Sequence, residues 1–496
     1  MFRRILKAAA IALGVLVVVG AVLFTFFDLR VVLDGGGMPH LRIVQPADAI
    51  ARAVAQDRES HRAQATASTQ VVQDSAPHTA PPGDTAPPSG DAAAPPIGRE
   101  TLTPTTPTPP YWTDFRGPQR DGQYRERAIR TNWTDSGLTP SWKQPSGGGY
   151  ASFVIARGRA FTIEQRGPDE VVAAYDVATG RELWTSTWRA AFHEFMGGDG
   201  PRATPTWADN RVYALGGEGE FRCLDDATGR VLWRTNILKD AGANNLQWGM
   251  AAAPLIVDDT VIVLPGGGNG HSVVAYNRRT GTIAWSALGE QQGYSSPMLV
   301  TLAGVRQVLV FTATRLIGIT PDRGDVLWEY PWATDFGVNA GQPLVIGENR
   351  LFVSSGYGTG AAVIELSASG GRLSTREVWR NTRMKNQFAS SVLLDGYIYG
   401  LDEAILACLD ATTGELKWKG GRYGYGQMLL ASGHLVILTE DGDLALVRAT
   451  PKRYEEVARF PVLNGKTWNP PSMADGFLLV RNLAEMAAFD LRVPPR

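Results

Sequence analysis

Cysteine is nearly absent: Cys223 and Cys408 are the only two in 496 residues. Two thiols can form at most one bridge, which excludes a disulfide framework of the kind that staples small secreted domains. Histidine is also scarce. Three of the six, His40, His61 and His78, lie in the first eighty residues, so no zinc ligand set with metal spacing can be drawn. The net charge of −1 removes the electrostatic footprint of a nucleic-acid binder. Gly266-Gly-Gly-Asn-Gly270 is the one glycine-rich loop that resembles a phosphate cradle, but it sits between strand-like segments with no helix after it. His193-Glu194, Glu218-Gly-Glu220 and Glu440-Asp-Gly-Asp443 read as solvated turns, with calcium at the last two as the minor alternative. Beyond residue 110 no amphipathic helical stretch of useful length appears.

What the chain has in abundance is one phrase. Tyr175-Asp-Val-Ala-Thr-Gly-Arg-Glu-Leu-Trp184 returns as Leu224-Asp-Asp-Ala-Thr-Gly-Arg-Val-Leu-Trp233, and its frame is kept up to Trp285 and Trp418. Looser versions end at Trp328 and Trp379. Each reads as an apolar strand, a tight turn in which glycine takes a positive φ, and a returning strand that ends in tryptophan. From Trp142 through Trp184, Trp233, Trp285, Trp328, Trp379 and Trp418 to the substitute Phe460, the steps run from 39 to 52 residues. A period of about 40 to 50 residues built from short strands predicts an all-β propeller with one four-stranded sheet per repeat.

Seven units fit between Trp142 and Phe460. Residues 461–491 supply strands but no closing tryptophan strand, and the orphan Ser141-Trp-Lys143 can provide it. The expectation is an eight-bladed β-propeller over 111–492, closed by an N-terminal strand so that no blade is left short. Cys223 and Cys408 then occupy the same strand slot of blades two and six, on opposite sides of the ring, as buried free thiols.

The N-terminal part differs. A basic start, Met1 to Lys7, precedes twenty uncharged residues, Ala8 to Phe27. At about 1.5 Å per residue such a run spans a bilayer of about 30 Å. Residues 1–27 are therefore expected to be a cytoplasmic basic flank and a transmembrane helix, with the remainder outside the cytoplasm. A cleaved signal peptide is the alternative. Residues 28–110 are expected to be a mostly disordered linker, with a short helix from Ala47 to about Ser68 and eleven prolines between Pro77 and Pro110. Tyr111 to Gly122 and Trp133 are expected to pack against the ring.

The Ala-Thr-Gly-x-x-x-Trp frame resembles the docking repeats of the pyrroloquinoline-quinone (PQQ)-like propeller superfamily over about 112–491. That resemblance implies the propeller fold. It spans quinoprotein alcohol dehydrogenases and the BamB-type scaffold of outer-membrane assembly, which binds no quinone. The adjacent cysteine pair of the dehydrogenases has no counterpart, since Cys223 and Cys408 are far apart, and no calcium-binding carboxylate set can be placed. The acylated cysteine of the scaffold type is likewise missing.

Aligning the blades on their first hairpins places Tyr150, Arg202, Ala251, Tyr294, Ala340, Phe388, Tyr425 and Trp468 just before the innermost strands, as a ring at one mouth of the axial channel. With Trp248, Lys385, Asn386, Gln427 and Asn469 in the adjoining loops, they describe a cup with aromatic walls and a few polar groups. Such a cup would suit a planar, sugar or peptide ligand. The competing reading is that aromatics plug a narrow axis. The functional expectation is a binding or scaffold protein anchored in the inner membrane and facing the periplasm, with no catalytic residue, metal or cofactor and with an envelope protein as partner. The alternatives are a PQQ- and calcium-dependent oxidoreductase and an envelope sugar-binding module.

Overall fold

The computed structural model describes residues 20, 29–33, 39–43, 47–74 and 112–493, apart from 135, 136, 195 and 371. From Gln123 to Asp490 the chain forms eight sheets, antiparallel apart from the short Gln123–Tyr124 strand. The first strand of each blade neighbours the first strand of the next, which puts Val154–Ala156, Thr206–Ala208, Leu255–Val257 and their equivalents around the axis. The eighth sheet takes three strands from the C-terminal end and its outermost strand, Trp142–Pro145, from before blade one. Ala488 pairs with Trp142 and Glu485 with Pro145, so the expected closure is present.

The repeated phrase makes each turn and each joint between blades. The Asp176 carboxylate accepts from the Ala178 and Thr179 amides and from the Thr179 hydroxyl, and Asp225, Asn277 and Asp410 each hold the amides two and three residues on. This is the Asx geometry that competes successfully with a continued strand. The following glycine has φ 74° at Gly180 and φ 71° at Gly229. It also lies under the preceding blade's tryptophan, where a Cβ on Gly229 would come within 2.4 Å of the Trp184 ring. Glycine is thus required twice over, for its φ and for the close approach. Five of the docked indoles then donate across the joint, among them Trp142 to Val177 O at 2.8 Å, Trp184 to Asp226 O at 3.0 Å and Trp233 to Arg278 O at 3.0 Å.

Two features change the sequence expectation. Part of the stretch expected as linker is folded: Leu29–Leu33 and Pro39–Ile43 form a hairpin, and Ala47–Asp74 is a 28-residue helix. The helix has no proline and is rich in Ala, Gln and Arg, all good helix formers. It packs against the outer strand of blade eight and the second strand of blade one, burying Val54 and pairing Arg58 with Glu182 at 2.7 Å. The remainder of the expected linker, 75–110, and the expected membrane anchor, Gly20 apart, lie outside the described residues. Among the described residues no helix is long and apolar enough to cross a membrane.

The segment after Trp112 does more than pack against the ring. It crosses the channel on the face opposite the aromatic ring and hydrogen-bonds to seven blades, blade eight by way of the Gly476 amide, which donates to the Tyr124 hydroxyl. Trp112 exchanges main-chain bonds with Ile155, and Thr113 O accepts from the Trp207 amide. Arg120 donates to Ala253 O and to Pro297 O, and Arg116 to Ser390 O and Ser391 O. Gln123–Tyr124 then pairs in parallel with Leu430 and Ala431 of blade seven. Trp133 is buried with its ring 5.9 Å from Phe460.

Candidate functional site

Each of the eight mouth positions lies two to four residues before the first strand of its blade, and five of them, Tyr150, Arg202, Phe388, Tyr425 and Trp468, are in mutual contact. Their rings close on one another. Phe388 of blade six lies 4.7 Å from Trp468 of blade eight and 5.0 Å from Tyr425 between them. Tyr150 of blade one stacks on Trp468 at 5.2 Å. Across the mouth Trp248 meets Tyr294 edge-on at 5.6 Å. Offset and edge-on pairs at these separations are the favoured aromatic geometries.

The cations are engaged by their surroundings. The Arg202 guanidinium donates to Gly200 O at 2.7 Å and Gly198 O at 2.8 Å while lying 4.7 Å from the Phe192 ring and 5.4 Å from Tyr150. Lys466 sits 3.6 Å above the Trp468 ring and donates to Met196 O and Gly197 O. Lys385 pairs with Asp402 at 3.2 Å and Glu403 at 3.5 Å. Burial lowers the pKa of Arg202 and raises that of the Tyr150 hydroxyl, and it pushes the Tyr294 hydroxyl up to about 12, so both phenols stay neutral at neutral pH.

The polar side chains expected to converge on a ligand are braces. Asn386 is buried, donates to Leu401 O at 3.0 Å and accepts from Ser391 Oγ at 2.8 Å. Asn469 is fully buried and ties blade eight to Gly149 O and Ala151 O of blade one. Gln427 reaches Phe388 O at 3.5 Å. Side chains with free main-chain neighbours to satisfy turn inward, because an unpaired buried carbonyl costs more than a surface contact returns.

Sequence reasoning missed four contributors to this mouth. Glu440, read as a turn carboxylate, is buried and accepts from the Trp468 indole at 3.0 Å and the Tyr425 amide at 3.1 Å. Phe192 carries Arg202. Phe336, 68 % exposed, stands edge-on to Tyr357 at 5.2 Å, and Met196 is 56 % exposed beside Lys466. None of these loops shares the blade repeat, so alignment on hairpins could not place them. On the opposite face a cleft of about 500 Å³ lies between the crossing segment (Asp114, Arg120, Asp121) and the apolar inner strands at Ile256, Val300 and Leu393.

A flat tricarboxylic quinone would need an open gap between rings and uncommitted cations. Here the rings touch each other, and Arg202, Lys385 and Lys466 already have partners. The residues present do not fit that group. Among the described residues no three His, Cys, Asp or Glu side chains converge to hold a metal ion. Both thiols are buried and free, and burial pushes Cys223 up to about 11 and Cys408 up to about 12, which leaves them inert at neutral pH.

Comparison with known proteins agrees on the architecture. A family profile described as outer membrane protein assembly factor BamB matches residues 168–420, just over half of the chain. The protein of that name from Bordetella pertussis is 24% identical over 303 residues, covering 59% of this chain and 68% of the relative. Among solved structures, BamB from Moraxella catarrhalis superposes with a TM-score of 0.50 at 14% identity, over 72% of this chain and 99% of the other. A europium-containing methanol dehydrogenase gives 0.57 at 12% identity, over 77% and 98%. Quinohemoprotein alcohol dehydrogenase from Comamonas testosteroni gives 0.53 at 13% identity, over 78% and 82%. At these identities the solved structures speak for the fold alone.

Proposed function

This chain belongs to the family described as outer membrane protein assembly factor BamB, and from that premise we propose that it is a non-enzymatic scaffold of the cell envelope that binds a protein partner. Residues 8–27 anchor it in the inner membrane, and the propeller faces the periplasm. The observation that carries the reading is the closed mouth: its rings pack against each other, its cations are engaged, and it presents Phe336 and Met196 outward on the rim. Exposed apolar side chains on a rigid aromatic platform suit a protein surface better than a small ligand, which needs concavity.

A photo-crosslinking residue at position 336 or 196, in intact envelopes, should trap one defined protein, and the same probe at the distant exposed position 323 should not. Recovery of no discrete adduct, or of the same adducts from all three positions, rejects the reading. Phe336→Ala should cut the yield severalfold while leaving thermal stability unchanged, as expected for a side chain that is 68 % exposed. Purified full-length protein given PQQ and calcium should reduce no dye with alcohols or sugars; activity there would replace the scaffold by an oxidoreductase. Protease digestion of the propeller in spheroplasts, but not in intact cells, checks its orientation.

A further inference from the structure

The outermost strand of every propeller blade leaves one row of main-chain donors and acceptors unpaired, a template for joining another chain. Proteins blunt such edges with charges, prolines or covering elements. Seven outer strands here follow that rule. Trp142–Pro145, Glu182–Arg189, Val231–Asn236, Val326–Pro331, Arg372–Asn381, Leu416–Arg422 and Glu456–Pro461 each carry a charged residue. Some are covered as well: the helix Ala47–Asp74 lies on the edge of blade eight, and Thr375 of the long blade-five hairpin donates to Glu329 O of blade four. Blade three is the exception. Its outer strand, Ile283-Ala-Trp-Ser-Ala287, has neither charge nor proline, and its first two residues are exposed.

We infer that this edge is a docking strand for an extended segment of another protein, rich in β-branched residues and flanked by acidic ones, which adds to blade three as a fifth strand. The register fixes what it offers. The Ser272 amide bonds Leu288 O at 3.1 Å, and Val274 pairs with Ser286. Bonded and non-bonded pairs alternate in an antiparallel ladder, so the main-chain groups of Trp285 and Ala287 point away from the sheet. Ile283 is 49 % exposed, and the equivalent residues of the adjoining blades, Val231 and Val326, are 37 % and 48 % exposed. Ile283 gives an added strand an apolar contact of the kind that β-branched side chains make. Trp285 is also unlike the other six docking tryptophans, since its buried indole N–H has no hydrogen-bond partner. The charge of the flanks follows from Arg279, which is exposed and has no carboxylate partner among the described residues. Arg279 lies in the turn that leads into this strand. The surface is remote in sequence and position from the aromatic mouth, so its failure would leave the scaffold reading standing, and the reverse.

The test uses full-length protein in detergent and a synthetic peptide of alternating valine and threonine with two acidic residues at each end. Amide exchange at Trp285 and Ala287 should slow about tenfold or more with this peptide. A twin with lysine flanks should protect them far less. Ile283→Lys places a charge on the edge and should abolish protection without altering the fold. Ala287→Pro removes an outward N–H, so the protein should still fold and Trp285 should lose protection. Equal protection by both peptides, or none by either, overturns the proposal. So does protection that rises with protein concentration alone, because the edge would then belong to a second copy.

Discussion

Arg481 and Glu164 face each other at 3.9 Å across the seam where blade eight meets blade one, and neither has any exposed surface. Arg481 also donates to Ala151 O, Ile163 O and Gly147 O of blade one. Glu164 accepts from the Tyr175 hydroxyl at 2.7 Å and pairs with Arg166, which in turn holds Glu182, the partner of Arg58 on the N-terminal helix. The ring is therefore locked by a charged chain in addition to strand pairing.

Arg481→Met should destabilise the propeller strongly, by about 3–5 kcal/mol, because it strands part of a buried network. Denaturant titration at neutral pH measures this. Burial alone would raise the Glu164 pKa, but the guanidiniums of Arg166 and Arg481 overcome it and hold it at about 2. A carboxylate depressed in the folded state contributes stability above its unfolded pKa and loses it as pH falls. The parent protein should therefore lose stability between about pH 4.5 and pH 2 more steeply than Glu164→Gln, which starts lower and falls less.

Glu170 behaves in the opposite sense. It is fully buried between blades one and two, and burial lifts its carboxyl to about 7 against the opposing Gly217 N–H, which donates to Oε1 at 2.8 Å. Below about pH 4.5 both states carry the proton. Between there and pH 7 only the folded state does, so its contribution to stability declines as pH rises. Glu170→Gln should match the parent near pH 4 and exceed it near pH 8, by on the order of 3 kcal/mol at most. Melting temperatures of both proteins across that range decide it, and a parallel pair of curves would refute the assignment.

The docking tryptophans are not equivalent. Trp142→Phe leaves Val177 O without its indole donor and should cost about 1 kcal/mol beyond the loss of packing. Trp285→Phe removes an N–H that has no partner and should cost only the loss of packing. Calorimetry of the two variants side by side cancels the change in ring size.

The helix Ala47–Asp74 should behave as part of the propeller. Val54→Asp places a charge at a buried contact and should release the helix, seen as loss of amide protection over its first half. Arg58→Ala should cost no more than about 1 kcal/mol, since the side chain is about a third exposed and its pair with Glu182 is screened.

The blade count, the Trp142 closure and the docking tryptophans were legible because they rest on turn chemistry that repeats in the chain. Asp176, Thr179, Gly180 and Trp184 each act within a few residues of one another or on the next copy of the same phrase. The mouth was legible by position only. Phe388 and Trp468 could be placed at one end of the axis, but whether they line a cup or close it depends on the distance between blades six and eight, which no local pattern encodes. Asn386 and Asn469 looked available because a sequence does not display which buried carbonyls lack a donor.

The sequence alone determined how the chain folds back on itself every forty to fifty residues and which side chain latches each sheet to its neighbour, since those choices are made by backbone φ, Asx turns and the size of glycine. Only the tertiary structure decided that residues 112–124 cross the channel, that Arg481 finds Glu164, and that no other described strand pairs with the outer edge of blade three. Those facts follow from which main-chain groups remain unpaired once the ring is closed, a quantity that does not exist until all eight blades are in place.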